Sequence, residues 1–121
     1  MFNGIIYNKG IVKKISNTIK GKSIFIYSKL PINKKKIGMS IACDGVCLTL
    51  VSIKRNLLEF YLLNETINRS KFKHTKLGDE INLELPIKYG QEISGHICQG
   101  HVDATSKIIK ISKKGSSKIY E

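Results

Sequence analysis

The sequence predicts an all-β fold: a six-stranded antiparallel Greek-key barrel with one or two short helices, followed by the first strand of a second, incomplete barrel. Two observations and one physical argument predict it. The apolar runs are short, rich in β-branched residues and separated by turn residues. The pair Asp44-Gly45 stands between two such runs, which is typical of a hairpin. Closing the sheet into a barrel also removes the edges that isoleucine-rich strands would expose.

Six strands are expected in the first barrel. In chain order they cover residues 4–15 with a bulge at Gly10, then 23–28, 40–43, 46–54, 57–63 and a segment within 77–86. In that last segment Ile81, Leu83 and Leu85 alternate toward the core, and Pro86 closes the strand because proline cannot donate to a ladder.

The chain is expected to divide into three parts. A first barrel covers residues 1–86, a linker without clear periodicity covers 87–96, and a second, truncated barrel begins over 97–121. Within the first barrel, Asn64 is predicted to cap a short helix over residues 65–70.

An internal repeat supports the second barrel. Aligning Gly4 with Gly100, a shift of 96 residues, also places Ile6 on Val102. Strand character returns over residues 102–112, as the repeat requires. This segment is therefore predicted to be the first strand of a second copy of the barrel.

The net charge of +12 raises the question of a nucleic-acid partner. Nearly all the basic residues are lysines, and only Arg55 and Arg69 are arginines. Base readers favour arginine, and strand binders interleave aromatic with basic residues. The lysine, isoleucine and asparagine content also fits AT-rich codon usage. No nucleic-acid partner is expected, although a basic barrel binding single strands stays open as an alternative.

The sequence predicts a cytoplasmic protein. It has no run of 18 apolar residues and no secretory leader pattern, so no membrane association is expected. Its three cysteines are an odd number, which favours reduced thiols over a disulfide framework.

The stretch GHICQGHVD, residues 95–103, carries the residue types of a metal site. Strand alternation would place His96 and Cys98 on one face and His101 and Asp103 on the other. One strand cannot gather all four side chains around one ion, so no metal is expected here.

Five segments, in order along the chain, resemble the α-chain type of riboflavin synthase, which is built from two lumazine-binding barrels. They are MFNGI at the N-terminus, SIACDGVCLTL (40–50), LNET (63–66), LGDEINLE (77–84) and SGHICQGHVDA (94–104). The chain is also similar to lumazine- and flavin-binding accessory proteins, which share the fold and lack the chemistry.

The resemblance implies a transferase that moves a four-carbon unit between two molecules of 6,7-dimethyl-8-ribityllumazine, giving riboflavin and 5-amino-6-(ribitylamino)uracil. It implies no metal and no redox cofactor, and a homotrimer with each active site between the first barrel of one chain and the second barrel of its neighbour. Since this sequence stops at Glu121, binding is expected of it and catalysis is expected to be impaired. A non-catalytic lumazine or flavin carrier stays open as an alternative.

The resemblance also implies site residues. His101 is expected to transfer protons, and Cys47 and Ser40 are the other expected catalytic residues. The expected substrate-binding residues are Gly4, Ile5, Ile6, Cys47, Leu48, Thr49, Tyr61, Leu62, Leu63, Asn64, Glu65, Thr66, Gly100, His101 and Val102.

Structural roles compete with these functional ones. The resemblance implies that residues 4–6 form one wall of the first-barrel pocket. They could instead be part of an ordinary first strand. A cysteine in an apolar strand, such as Cys47, is more often core packing. Glu65 and Thr66 could serve a helix end, and both roles can hold together.

Overall fold

The computed structural model describes residues 1–88, 90, 101–102 and 104–121. Its strands are β1 (Asn8–Asn17), β2 (Gly21–Tyr27), β3 (Ser40–Cys43), β4 (Val46–Lys54), β5 (Leu57–Leu63), β6 (Glu80–Glu84), β7 (Ile111–Lys114) and β8 (Ser117–Tyr120). Helix α1 covers Asn64–Asn68, and single turns of 3-10 helix cover Lys34–Lys36 and Lys71–Lys73. No helix in the described part of the chain is long and apolar enough to cross a membrane.

Strands β1–β6 close into a barrel in the order β1-β2-β5-β4-β3-β6, and all their pairings are antiparallel. The strands β3, β4 and β5 are joined by consecutive hairpins, and β2 returns beside β5, which is a Greek key. The predicted fold class is confirmed.

The barrel interior is filled by the inward-facing side chains of all six strands, and Phe72 in the 3-10 turn after α1 joins them. Fully burying one such Leu, Ile or Phe side chain contributes about 1.5–3 kcal/mol. The fully or nearly fully buried cluster comprises Val12, Ile24, Ile26, Leu30, Ile41, Cys43, Leu48, Leu50, Leu58, Phe60, Leu62, Phe72, Ile81 and Leu83.

The predicted bounds of 40–43, 46–54 and 57–63 are confirmed as β3, β4 and β5. The prediction for the first strand was wrong at its start and at its bulge. Strand β1 begins at Asn8, and its register shifts between Val12 and Lys14, away from Gly10. Gly10 instead packs against β2: a Cβ added there would lie 2.3 Å from Ile26 Cγ2.

Strand β2 spans Gly21–Tyr27, shifted toward the N-terminus of the predicted 23–28. In β6 the inward positions of Ile81 and Leu83 are confirmed. Leu85 lies beyond the strand and is only partly buried.

Asn64 does not cap the helix, so that prediction was wrong. Leu63 occupies the N-cap position, and no side chain accepts a hydrogen bond there. Asn64 lies inside α1, and its Nδ2 donates to the Ile19 carbonyl at 3.1 Å. Its amide is therefore used to connect α1 to the β1–β2 turn.

The strand predicted over 102–112 was also wrong over most of its length. Residues 102 and 104–110 form no strand, and β7 pairs only with β8 in a separate two-stranded sheet. A strand needs a neighbour to satisfy its peptide groups, and among the described residues only β8 supplies one. The linker falls largely outside the described residues, and the assignment of 97–121 to a second barrel stays a prediction.

Candidate functional site

Strand β4 changes partners along its length. Its first part pairs with β3, from Val46 opposite Cys43 to Thr49 opposite Ser40. Its second part pairs with β5, beginning at Leu50 opposite Phe60, and the register shifts before Ser52.

This change leaves an opening between β4 and β5. In the described residues, the β4–β5 ladder does not extend to 46–49 of β4 or to 61–63 of β5, which pairs with β2 instead. Peptide groups on that side of β4 are therefore not used by the β4–β5 ladder. Such groups can hydrogen-bond the amide edge of a planar ligand. We call this place the β4–β5 opening, and define it by residues 46–49, 61–63 and α1.

Alternation decides which side chains border the β4–β5 opening. Cys47 and Thr49 point outward and are exposed, as are Tyr61 and Leu63 on β5. The predicted binding residues Leu48 and Leu62 point inward and belong to the core. Only their main chain can face a ligand.

Helix α1 brings three more predicted residues to the same end of the barrel. It follows β5 directly, with Asn64 and Glu65 exposed and Thr66 half-buried. Glu65 also pairs with Arg69 at 3.3 Å on the helix surface. An exposed pair of this kind contributes little to stability, so Glu65 can exchange that partner for a ligand hydroxyl.

The two described cysteines differ sharply. Cys43 is buried in the core, as expected for a packing residue, and burial raises the pKa of its thiol, with smaller contributions from Asp44 and Cys47. Cys47 is exposed beside the β4–β5 opening. Ser40 is half-buried opposite Thr49. The predicted catalytic roles of Cys47 and Ser40 stay predictions.

Residues 101 and 102 lie near the start of β4. The Val102 N–H donates to the Gly45 carbonyl at 2.9 Å, in the β3–β4 turn. The His101 ring meets the Phe2 ring edge-on, with centroids 5.6 Å apart and planes at 63°. His101 is exposed, so its imidazole is accessible to a ligand or to solvent.

Gly100, the remaining predicted binding residue, lies outside the described residues, as do His96, Cys98 and Asp103. Within the described ranges, no three His, Cys, Asp or Glu side chains converge as metal ligands would. The expectation that GHICQGHVD holds no metal stays a prediction.

A buried carboxylate holds the N-terminal segment, and sequence reasoning missed it. Glu84 Oε1 accepts hydrogen bonds from the N–H groups of Asn3 at 2.6 Å and Gly4 at 2.8 Å. Alternation places Glu84 on the outer face of β6, and the N-terminal segment covers it to 2% exposure. Nothing local in the sequence indicates a contact across 80 residues.

Residues 4–6 lead from the contact with Glu84 into β1. Glu84 fixes them beside the end of β1 at Asn8, where Asn8 pairs with Leu83. On its other side Glu84 pairs with Ala42 of β3, and Ala42 pairs with Cys47 of β4. Ile5 and Ile6 are exposed. The expected binding role of residues 4–6 stays a prediction.

The protein is therefore a small β-barrel domain: a closed Greek-key barrel in which β4 and β5 pair over only part of their length. The Lumazine binding domain family model matches residues 3–86. The chain belongs to the lumazine-binding domain family.

Curated relatives include riboflavin synthases. The protein from Buchnera aphidicola subsp. Schizaphis graminum is 37% identical over 93% of this chain and 55% of its own length. That from Photobacterium phosphoreum is 36% identical over 95% and 53%, and that from Escherichia coli (strain K12) 33% identical over 92% and 53%. The chain spans about half the length of these relatives.

Solved structures of LumP have the same fold. LumP complexed with riboflavin superposes with a TM-score of 0.73 at 24% identity, covering 95% of this chain and 62% of LumP. LumP complexed with flavin mononucleotide gives a TM-score of 0.72 at 26% identity, covering 93% and 63%. A further LumP structure holds 6,7-dimethyl-8-(1'-D-ribityl) lumazine, with a TM-score of 0.72.

Proposed function

We propose that this chain is a riboflavin synthase chain or part of one, and that its first barrel binds 6,7-dimethyl-8-ribityllumazine at the β4–β5 opening. The observation that carries the proposal is that the β4–β5 ladder ends at the pair Leu50 and Phe60. The main-chain N–H and C=O groups beside Cys47 and Thr49 therefore lie outside this ladder. Relatives named riboflavin synthase, and LumP structures holding lumazine and flavins, support it.

The β4–β5 opening fits a flat, polar-edged ring with a polyol tail. Main-chain groups of residues 46–49 would meet the amide edge of the ring, and Leu63 offers an apolar contact for its face. The carboxylate of Glu65 and hydroxyl of Thr66 would accept from and donate to ribityl hydroxyls. A rigid barrel end holds such a ring at small entropic cost, which is the positioning that a two-substrate reaction requires.

In the overall reaction a four-carbon unit leaves one lumazine and joins the other, giving riboflavin and 5-amino-6-(ribitylamino)uracil. The reaction needs an acidic methyl group deprotonated and a nucleophile added to the partner ring. His101 would move protons, and the exposed Cys47 together with Ser40, which pairs with Thr49, would act on the bound ring. In the complete protein we place this chemistry between two barrels of a cytoplasmic homotrimer.

A non-catalytic carrier of lumazine or flavin on the same barrel is the competing function. The relatives at 33–37% identity are named riboflavin synthase, so the carrier is not favoured. Turnover of 6,7-dimethyl-8-ribityllumazine to riboflavin by the full-length protein would exclude the carrier, and binding without turnover would exclude the enzyme.

The binding proposal is tested by fluorescence titration with riboflavin and with the lumazine. Leu63→Glu introduces a charge beside the β4–β5 opening at a side chain that is 57% exposed. Ile111→Glu is the matched control, at 58% exposure in β7. We expect Leu63→Glu to weaken binding at least about tenfold, or 1.4 kcal/mol, and Ile111→Glu to leave it unchanged. Equal affinities in all three proteins would place the ligand elsewhere.

A further inference from the structure

A cavity lies between β1 and the segment before β6, lined by residues other than those that define the β4–β5 opening. Val12 is the last β1 residue held to that segment: its N–H donates to Asp79 and its carbonyl accepts from Gly78. Beyond Val12, β1 and the segment before β6 separate around a cavity of about 520 Å³. The cavity is lined by Lys13, Lys14, Ile15, Asn17, Lys22, Lys73, Thr75, Lys76 and Leu77. We call it the lysine cavity.

The β1 bulge contributes to this concentration of charge. A strand normally sends consecutive side chains to opposite faces, but the register shift between Val12 and Lys14 makes both Lys13 and Lys14 face outward. Lys14 Nζ also lies 5.1 Å from the centre of the Phe25 ring, a contact that orients the ammonium group and leaves its charge in place.

No carboxylate lines the lysine cavity. The ion pairs in the described part of the chain use Lys9, Arg69, Lys71 and Lys110, and none uses a lysine of the cavity. Asp79 is the nearest acidic residue in sequence, and its Oδ2 accepts from the Lys76 main-chain N–H at 2.9 Å. The positive charges of the cavity are therefore not balanced by these pairs.

Lys22 distinguishes the lysine cavity from an ordinary basic surface. Lys22 is the second residue of β2 and is only 7% exposed. Its ammonium donates to the Phe72 carbonyl, and an ammonium group has two further N–H donors. Burial lowers the pKa of Lys22, because desolvation disfavours the charged form of its side chain. A bound anion would supply the missing partner.

We propose that the lysine cavity binds a small anion carrying two or more phosphate groups. Lysine side chains that line one cavity with no carboxylate among them raise the local potential and the concentration of anions. They also form short charge-assisted hydrogen bonds to phosphate oxygens. The cavity is larger than one phosphate needs, and its lysines come from three separate segments, so a chain of linked phosphates fits better than one.

Calorimetric titration with inorganic tripolyphosphate at low ionic strength tests this. The double variant Lys13→Ser/Lys14→Ser removes two cavity charges. The control Lys34→Ser/Lys35→Ser removes two exposed lysines from a 3-10 turn outside the cavity. We expect the cavity variant to bind at least about tenfold more weakly and the control to bind like the wild type. Equal weakening in both variants, or no binding by the wild type, would overturn the proposal.

Two further arms fix the nature of the site. Lys22→Met keeps the apolar stem and removes the buried ammonium, and circular dichroism shows whether it folds; the folded variant should lose tripolyphosphate binding. If it does not fold, the paired double variants decide alone. Single-stranded oligonucleotide that binds more tightly than tripolyphosphate, and weakens equally in both double variants, would show a diffuse basic surface instead. Riboflavin affinity should be the same in all these folded variants, so this proposal can fail without the proposed function failing.

Discussion

The barrel and the β7–β8 hairpin are built from similar strands with opposite outcomes. Both combine isoleucine with lysine and serine. In β2 the isoleucines Ile24 and Ile26 are fully buried, whereas Ile111 and Ile119 in the hairpin remain exposed. The barrel strands each have two neighbours, and the hairpin strands have only one another.

This difference shows that isoleucines in a strand are buried only when a closed sheet or a second layer of structure covers their side of the strand. A lone two-stranded hairpin is marginally stable in water. The candidate site follows the same division: Cys47, Thr49 and Leu63 are carried by the barrel, while His101 and Val102 reach it through single contacts.

The largest expected effect breaks the barrel core. Phe60→Ala, at a fully buried position between β2 and β4, should lower the free energy of unfolding by about 3–5 kcal/mol. Tyr120→Ala in β8 removes an exposed ring and should change it by less than about 0.5 kcal/mol. Urea unfolding followed by circular dichroism measures both. Similar losses would mean that the hairpin is packed as the barrel is.

The second effect concerns two carboxylates, one in each region. Glu84→Ala removes the acceptor of two main-chain N–H groups and should lower the free energy of unfolding by about 2 kcal/mol. Glu121→Ala removes only an exposed pair with Lys110 and should cost less than about 0.5 kcal/mol.

Hydrogen exchange distinguishes a local from a general effect of Glu84→Ala. The amides of Asn3 and Gly4 should lose protection, while those of the β2–β5 ladder retain it under native conditions. Unchanged exchange at Asn3 and Gly4 would show that Glu84 does not hold the N-terminal segment.

The smallest expected effect is on how the free energy of unfolding changes with pH. Burial raises the pKa of the Cys43 thiol well above its usual 9.0. The folded thiol keeps its proton where the unfolded thiol loses it, so its contribution to stability is complete below about pH 9 and falls as pH rises further. Cys43→Val should therefore remove part of the alkaline loss of stability, measured by urea unfolding at pH 8 and pH 10. Parallel losses in both proteins would contradict the burial of this thiol.

Local patterns predicted the elements that local turns determine. Strands β3, β4 and β5 are separated by Asp44-Gly45 and Arg55-Asn56, and all four of these turn residues adopt positive φ. Such turns fix a hairpin without help from the rest of the chain. The bounds of the three strands could therefore be predicted.

Contacts between distant residues could not be predicted in this way. Glu84 holds Asn3 and Gly4 ahead of β1, and the Asn64 side chain bonds to Ile19 where a helix cap was expected. The family's motifs indicated Cys47 and Thr49, and alternation puts them on the outer face. The β4–β5 opening itself depends on where β4 changes partners, which no local pattern encodes.

The proposed binding of a flavin-like ring at the β4–β5 opening can be measured directly, because the accessible thiol of Cys47 lies beside that opening. Iodoacetamide modification of the wild-type chain, mapped by peptide mass spectrometry, gives separate rates for Cys47 and Cys43. The account predicts that riboflavin slows alkylation of Cys47 at least about tenfold, and that buried Cys43 stays unmodified throughout. An alkylation rate at Cys47 that is the same with and without saturating riboflavin would contradict it.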